Sequence, residues 1–248
     1  MMATAKASRV AFSRRAIIKG GLAVGAGLVV GFQLPLSGRN ASMAQSDSFA
    51  PNQWISIDRD GRVTIINSVV EMGQGSLTTM PAIVADELDT DLGKVRVIQA
   101  PANPKLYGNP VTGAQSYGGS RGVRDHIEML RKAGAAAREM LTQAGANEWG
   151  VPMAEVDTDL DTVVHKPSGR RLPYSALVDK ASKLPVPQNP TLKTPDKFRY
   201  MGKVMHRRDT PLKVNGSAVF GMDVDVPGML IASIERCPVF GGKVKSFD

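Results

Sequence analysis

Five residues, Glu71-Met72-Gly73-Gln74-Gly75, concentrate chemical possibility in this chain. Their two glycines permit positive φ and let a ligand come close to the backbone. Gln74, between them, can both donate and accept hydrogen bonds, which suits the edge of a neutral heterocycle. A helical pattern follows, so the turn would aim the amides of a helix start at any nearby phosphate. A second stretch, Thr112-Gly113-Ala114-Gln115-Ser116-Tyr117-Gly118-Gly119-Ser120-Arg121, again sets hydroxyls and glycines ahead of a helix. Taken singly, the first is a strand-to-helix turn and the second an ordinary N-cap by Ser120. As a pair they suit an extended polar cofactor that carries a phosphate. The first turn lacks the lysine of a phosphate-binding P-loop.

Other chemistries are poorly provided for. Cys237 is the single cysteine, which excludes an internal disulfide or a Cys-ligated iron–sulfur cluster. His126, His165 and His206 lie far apart, so no protein-ligated metal site is expected. The net charge of +8 points to nucleic acid only superficially. Six of the 31 basic residues and none of the 23 acidic ones fall within the first 44 positions, leaving the remainder nearly neutral. Aromatic residues are 5% of the chain and do not alternate with basic ones, so base-stacking platforms are absent and no nucleic-acid partner is expected.

Those first residues form a leader. Arg14 and Arg15 precede an uncharged run from Gly20, which exits through Ser42-Met43-Ala44. A basic segment, a short apolar segment and a small-residue exit describe an export signal. The arginine pair beside a glycine-diluted run resembles a twin-arginine signal, which implies folded export to the periplasm by the twin-arginine machinery. Cleavage is expected after Ala44; an uncleaved membrane anchor is the alternative. The run from Gly20 to Phe32 is short for a membrane span.

The elements that must position the two glycine-rich stretches can be read from periodicity. Trp54–Ile57 and Val63–Ile66 flank Asp58-Arg59-Asp60-Gly61 as a hairpin. Leu77, Met80, Ile83, Val84 and Leu88 recur at helical spacing, with Pro81 expected in the first turn, so the helix would begin after Ser76. Lys94–Ile98 alternates as a strand, and about Val123 to Ala144 forms the longest helix. Strands near Val156 and Val163, and a short helix from Tyr174, come next. The prolines at 185, 187, 190 and 195 read as a stiff connector. Lys213–Phe220 and Gly228–Ile234 read as strands of a new domain. The fold class is α+β, with a leader at 1–44, a first domain at 45–200 and the start of a second at 201–248.

EMGQGSLTTMPAIVADEL, GGSRGVRD, LRKAGAAAREML and KVNGSAVFGMDVDVPGML together resemble the molybdopterin-binding large subunits of the xanthine dehydrogenase and aldehyde oxidase family. The similarity is greatest to the exported isoquinoline 1-oxidoreductase β-subunit type and covers about Trp54 to Asp248. It implies a mixed α/β molybdopterin-binding segment followed by the opening of an α/β hammerhead domain. It further implies a molybdopterin cytosine dinucleotide and hydroxylation of an aldehyde or N-heteroaromatic small molecule with oxygen from water. Electrons would leave through [2Fe-2S] clusters on a small partner subunit, with a c-type cytochrome as a further partner. Gly73, Gln74 and Gly75 match the family's cofactor motif; Thr112, Ser116, Gly119 and Ser120 match a second cofactor loop. The family's catalytic glutamate belongs to a region not found in this chain, so no catalytic residue is assigned here. In the soluble relatives the hammerhead precedes the EMGQG segment, whereas here it follows. Two roles therefore stand open: cofactor contact, or a scaffold copy within a split oxidoreductase complex.

Overall fold

The computed structural model describes residues 28–31 and 53–247. Apart from 28–31, the leader lies outside the described residues. Those four are described as a strand, β1 (Leu28–Gly31), paired antiparallel to β2 (Gln53–Ile57). The chain divides into two compact units, 1–208 and 209–248.

In the first unit β2 turns back through Asp58–Arg62 into β3 (Val63–Asn67), where Gly61 N–H donates to Asp58 O at 2.9 Å. Alternation of Ile55, Ile57, Val63 and Ile65 buries one apolar layer, each large side chain contributing about 1.5–3 kcal/mol. From β3 the chain crosses through α1 (Ser76–Leu88) and returns as β4 (Arg96–Gln99), parallel to β3. The sheet order is β1-β2-β3-β4. This crossover has a direct consequence: the segments leaving β3 and β4 emerge at the same edge of the sheet. Asn67 and Gln99 tie that edge together, with Gln99 Nε2 donating to Asn67 O at 2.9 Å.

The second of those segments passes through α2 (Pro104–Tyr107) to α3 (Arg121–Trp149). Helix α3 is longer at both ends than its apolar spacing suggested, and it packs across α1. The crossing is close because Gly134 sits there; a Cβ on it would meet Val84 O at 2.7 Å and Glu87 Cβ at 2.8 Å. Ala133, Ala136 and Ala137 complete the small-residue face. A second sheet, β5 (Val156–Thr158), β6 (Thr162–His165) and β7 (Arg171–Pro173), is antiparallel throughout and leads into α4 (Tyr174–Ala181). The result is an α+β arrangement of small sheets and helices.

Three expectations change. Helix α1 begins at Ser76 with Pro81 inside it. The missing proline N–H costs one bond, while Glu71 fixes the helix start from outside, as described below. The proline-rich connector, expected to be stiff but unpacked, is bonded to the helices. Arg138 Nη2 donates to Thr191 O at 2.5 Å, Arg131 Nη2 donates to Lys193 O at 2.6 Å, and Thr191 N–H donates to Glu139 at 2.6 Å. Beyond it, Asp86 accepts the amides of Arg199, Tyr200 and Met201 at 2.6–3.0 Å. The connector is thus strapped onto α1 and α3.

The third change concerns the second unit. It contains α5 (Thr210–Val214) and a single 3-10 turn, and none of its described residues belongs to a strand. Residues 213–220 and 228–234 are not paired in a ladder there, and a strand exists only through its hydrogen-bonded neighbour. Val219, Phe220, Leu230, Ile231 and Ile234 are all exposed.

Candidate functional site

The two glycine-rich segments are neighbours because β3 and β4 are parallel. They face each other across a cleft of about 390 Å³ lined by Gln74, Ser76, Thr79, Ser120, Arg121 and Gly122, with Val69, Met72, Met80, Tyr117 and Val123 supplying apolar walls. The carboxyl edge of parallel strands is a common place for ligands. Tyr117 OH donates to Ser68 O and joins the two segments directly.

The first segment folds around Glu71. Gly73 and Gly75 adopt φ of 110° and 91°, a region that favours glycine, and this turns their amides inward. Glu71 Oε1 accepts from Gly73 N–H at 2.8 Å and from Gly75 N–H at 3.0 Å, and Oε2 accepts from Leu77 N–H at 3.0 Å. Arg207 approaches the same carboxylate at 3.2 Å and donates to Gly73 O at 2.7 Å. Glu71 keeps 11% side-chain exposure. Desolvation raises its pKa, but the amides of Gly75, Leu77 and Gly73 together with Arg207 outweigh that and leave it below the ordinary glutamate value. Gln74 is also spent on its own loop: Oε1 accepts from Met72 N–H at 2.8 Å and Nε2 donates to Val70 O at 2.6 Å.

The second segment is fixed from behind. Asn109 Oδ1 accepts the amides of Val111 and Thr112 at 2.8 and 3.1 Å, while its Nδ2 donates to Asp125 at 2.9 Å. Ser120 has a left-handed backbone, φ 57°, and makes no side-chain cap bond, contrary to the simple N-cap expectation. With φ in that region its hydroxyl does not reach back to the helix amides.

Of the residues singled out from sequence, Gln74 and Ser120 line the common cleft. Gly73 and Gly75 shape the turn behind it, and Thr112, Ser116 and Gly119 are exposed on the second segment without lining the cleft. Sequence reasoning missed Arg207, which lies 136 positions from Glu71. Arg121, the last residue of the second stretch, has no role of its own from sequence, yet it lines the cleft. Among the described residues no group of three or more His, Cys, Asp or Glu is arranged to hold a metal. Cys237 is free and exposed.

A family profile described as "Molybdopterin cofactor-binding domain" matches residues 3–228. The β-subunit of isoquinoline 1-oxidoreductase from Brevundimonas diminuta is 38% identical over 77% of this chain and 29% of its own length. The membrane-bound aldehyde dehydrogenase of Gluconacetobacter polyoxogenes, whose name specifies pyrroloquinoline quinone, is 31% identical over 97% of this chain and 31% of its own. A nicotinate dehydrogenase subunit from Pseudomonas putida is 30% identical over 76% and 15%. The chain therefore spans less than a third of the length of each of these relatives. A crystal structure of quinoline 2-oxidoreductase from Pseudomonas putida 86 overlaps 53% of this chain and 16% of that one, with TM-score 0.36 and 19% identity. A Cu,Mo-CO dehydrogenase overlaps 50% and 15%, with TM-score 0.37 and 22% identity. The chain belongs to the molybdopterin cofactor-binding domain family, and the curated relatives it matches are named as oxidoreductases or dehydrogenases.

The residues present fit such a cofactor unevenly. At the first turn, the amides of Gly73, Gly75 and Leu77 that would receive a phosphate are already bonded to Glu71, so that turn does not fit a phosphate group.

Proposed function

We propose that this chain is part of the large subunit of an exported molybdenum hydroxylase that oxidises an aldehyde or an N-heteroaromatic compound with oxygen from water. The family match across residues 3–228 carries this reading. The relatives named as isoquinoline 1-oxidoreductase, aldehyde dehydrogenase and nicotinate dehydrogenase support the substrate class. Two of them are named as subunits, which supports a complex in which a small [2Fe-2S] subunit takes the electrons. The cofactor in this reading is the cytosine dinucleotide form of molybdopterin, with Ser120, whose hydroxyl makes no cap bond, as this chain's polar contribution on the cleft wall. The paired Arg14 and Arg15 of the leader support export to the periplasm.

The test uses the protein purified from its own cells with whatever subunits accompany it. Metal analysis should find molybdenum, acid hydrolysis should release a cytidine nucleotide, and the material should reduce a dye with an aldehyde or N-heterocycle. Active material without molybdenum would sink the reading. A second reading, that this part is a scaffold rather than a cofactor-contacting segment, is favoured by the engagement of Glu71 with the amides of the first turn.

A further inference from the structure

We propose that Glu71 acts as a built-in anion: its carboxylate occupies the oxyanion nest at the start of α1, closes that nest to phosphate, and fastens residue 207 to the turn. Three observations carry it. Both carboxylate oxygens are used, Oε1 on Gly73 and Gly75 and Oε2 on Leu77, all at 2.8–3.0 Å. Those three amides, on alternate residues, converge because Gly73 and Gly75 hold positive φ, the kind of backbone turn that makes an anion-binding concavity. Ser76, the first residue of α1, directs its hydroxyl to Val70 O at 3.0 Å and not outward to a ligand.

The carboxylate has a further anchor. Arg207 Nη2 contacts Oε1 at 3.2 Å while its Nη1 donates to Gly73 O at 2.7 Å, so one guanidinium bridges the charge and the turn around it. The neighbouring Arg208 is seated beside it, its N–H donating to Thr78 Oγ1 at 3.0 Å and its Nη2 to Val95 O at 2.6 Å. The last residues of the first unit are thereby held by the α1 turn. A helix start with its charge supplied internally has no electrostatic need of an external phosphate. Any phosphate of a bound dinucleotide is consequently held elsewhere. The assignment stands on the loop's geometry and is independent of which cofactor the protein carries.

Hydrogen–deuterium exchange of the 70–80 segment in the intact purified protein tests it, in phosphate and in chloride of matched ionic strength. In the wild type this segment should exchange slowly and equally in both salts. Glu71→Ala should raise exchange by about tenfold or more, since it deletes three charge-assisted bonds, and phosphate should restore much of the protection. Glu71→Gln fills the same space, so its smaller rise should not be reversed by phosphate. Arg207→Met leaves Glu71 in the nest and should likewise show no phosphate protection. Phosphate-dependent protection in the wild type or in Arg207→Met would overturn the proposal, as would its absence in Glu71→Ala. If the alanine variant cannot be purified, the wild-type and methionine arms still decide.

Discussion

The two glycine-rich segments differ in what satisfies their backbone. The segment after β3 closes around a charged residue of its own, with Glu71 inside the turn and Arg207 behind it. The segment after β4 is organised by a neutral amide, Asn109, and leaves the Ser120 hydroxyl without a cap bond. Similar glycine patterns thus give opposite outcomes. A glycine-rich turn can offer amides to a ligand, but an acidic residue two positions before the first glycine can take them first. The apolar walls of the cleft come from both segments, so they share one surface while differing in the donors they offer.

That comparison depends on a common platform, and its largest test removes the platform. Glu87 on α1 is fully buried and meets Arg131 Nε at 2.7 Å and Arg138 Nη1 at 3.3 Å on α3. It also accepts the Lys193 amide at 3.0 Å. Glu87→Ala leaves two largely buried guanidinium groups without their anion and should cost about 3–5 kcal/mol. The loss is read as a shift of the denaturation midpoint at unchanged slope. A cost below about 1 kcal/mol would mean that the segments are not set by the crossing of α1 and α3.

The next effect separates the charged turn from the neutral one by pH. Glu71 has a folded-state pKa below its ordinary value of 4.5, through the amides and Arg207 prevailing over desolvation. Its stabilisation is therefore fully present above about pH 4.5 and is lost as pH falls through the lowered value. The difference in melting temperature between wild type and Glu71→Gln should be constant between pH 6 and 7, on the order of several degrees, and should shrink below about pH 4.5. A difference that persists unchanged into acid would show that charge is not what fills the turn.

Sequence reading reached some of this and not the rest, for physical reasons. The turn, the helix after it and the long helix α3 are local patterns: glycine spacing and apolar recurrence at helical period. The occupant of the turn is not local, because Arg207 is 136 positions away and only the fold brings it to Glu71. The same holds for the strap over 191–201, whose backbone groups are met by Arg131, Arg138 and Asp86; the pattern there signals a proline-rich connector and not its partners. Pro81 points to a later start only by helix propensity, which the bonds of Glu71 to the amides of Gly73, Gly75 and Leu77 override. The strands expected at 213–220 and 228–234 rested on alternation, and alternation names a face without naming the partner that would cover it.

A smaller effect tests the bridge between the segments. Tyr117 is half-buried and its hydroxyl reaches Ser68 O. Tyr117→Phe keeps the ring against the cleft and removes that bond, so it should cost about 1 kcal/mol. Exchange should rise at 68–72 and at 115–120 together. A rise at one segment alone would break the claim that they form a single wall.

The smallest change in stability is expected at Ser120, and it is the most direct on function. Replacing Ser120 by glycine relieves a left-handed backbone, worth about 1 kcal/mol, and adds glycine's unfolded-state entropy, which costs about 0.5–1 kcal/mol. No cap bond is lost, so the two nearly cancel and the melting temperature should move by no more than about 2 °C. Against that flat background, molybdenum and cytidine content of the purified protein becomes a clean readout of the hydroxyl. A drop in content at unchanged stability assigns Ser120 to ligand contact, and unchanged content removes it from the cofactor wall. A melting temperature lower by several degrees would instead mean that the second segment, like the first, spends its polar groups on itself, and the contrast between the two would be gone.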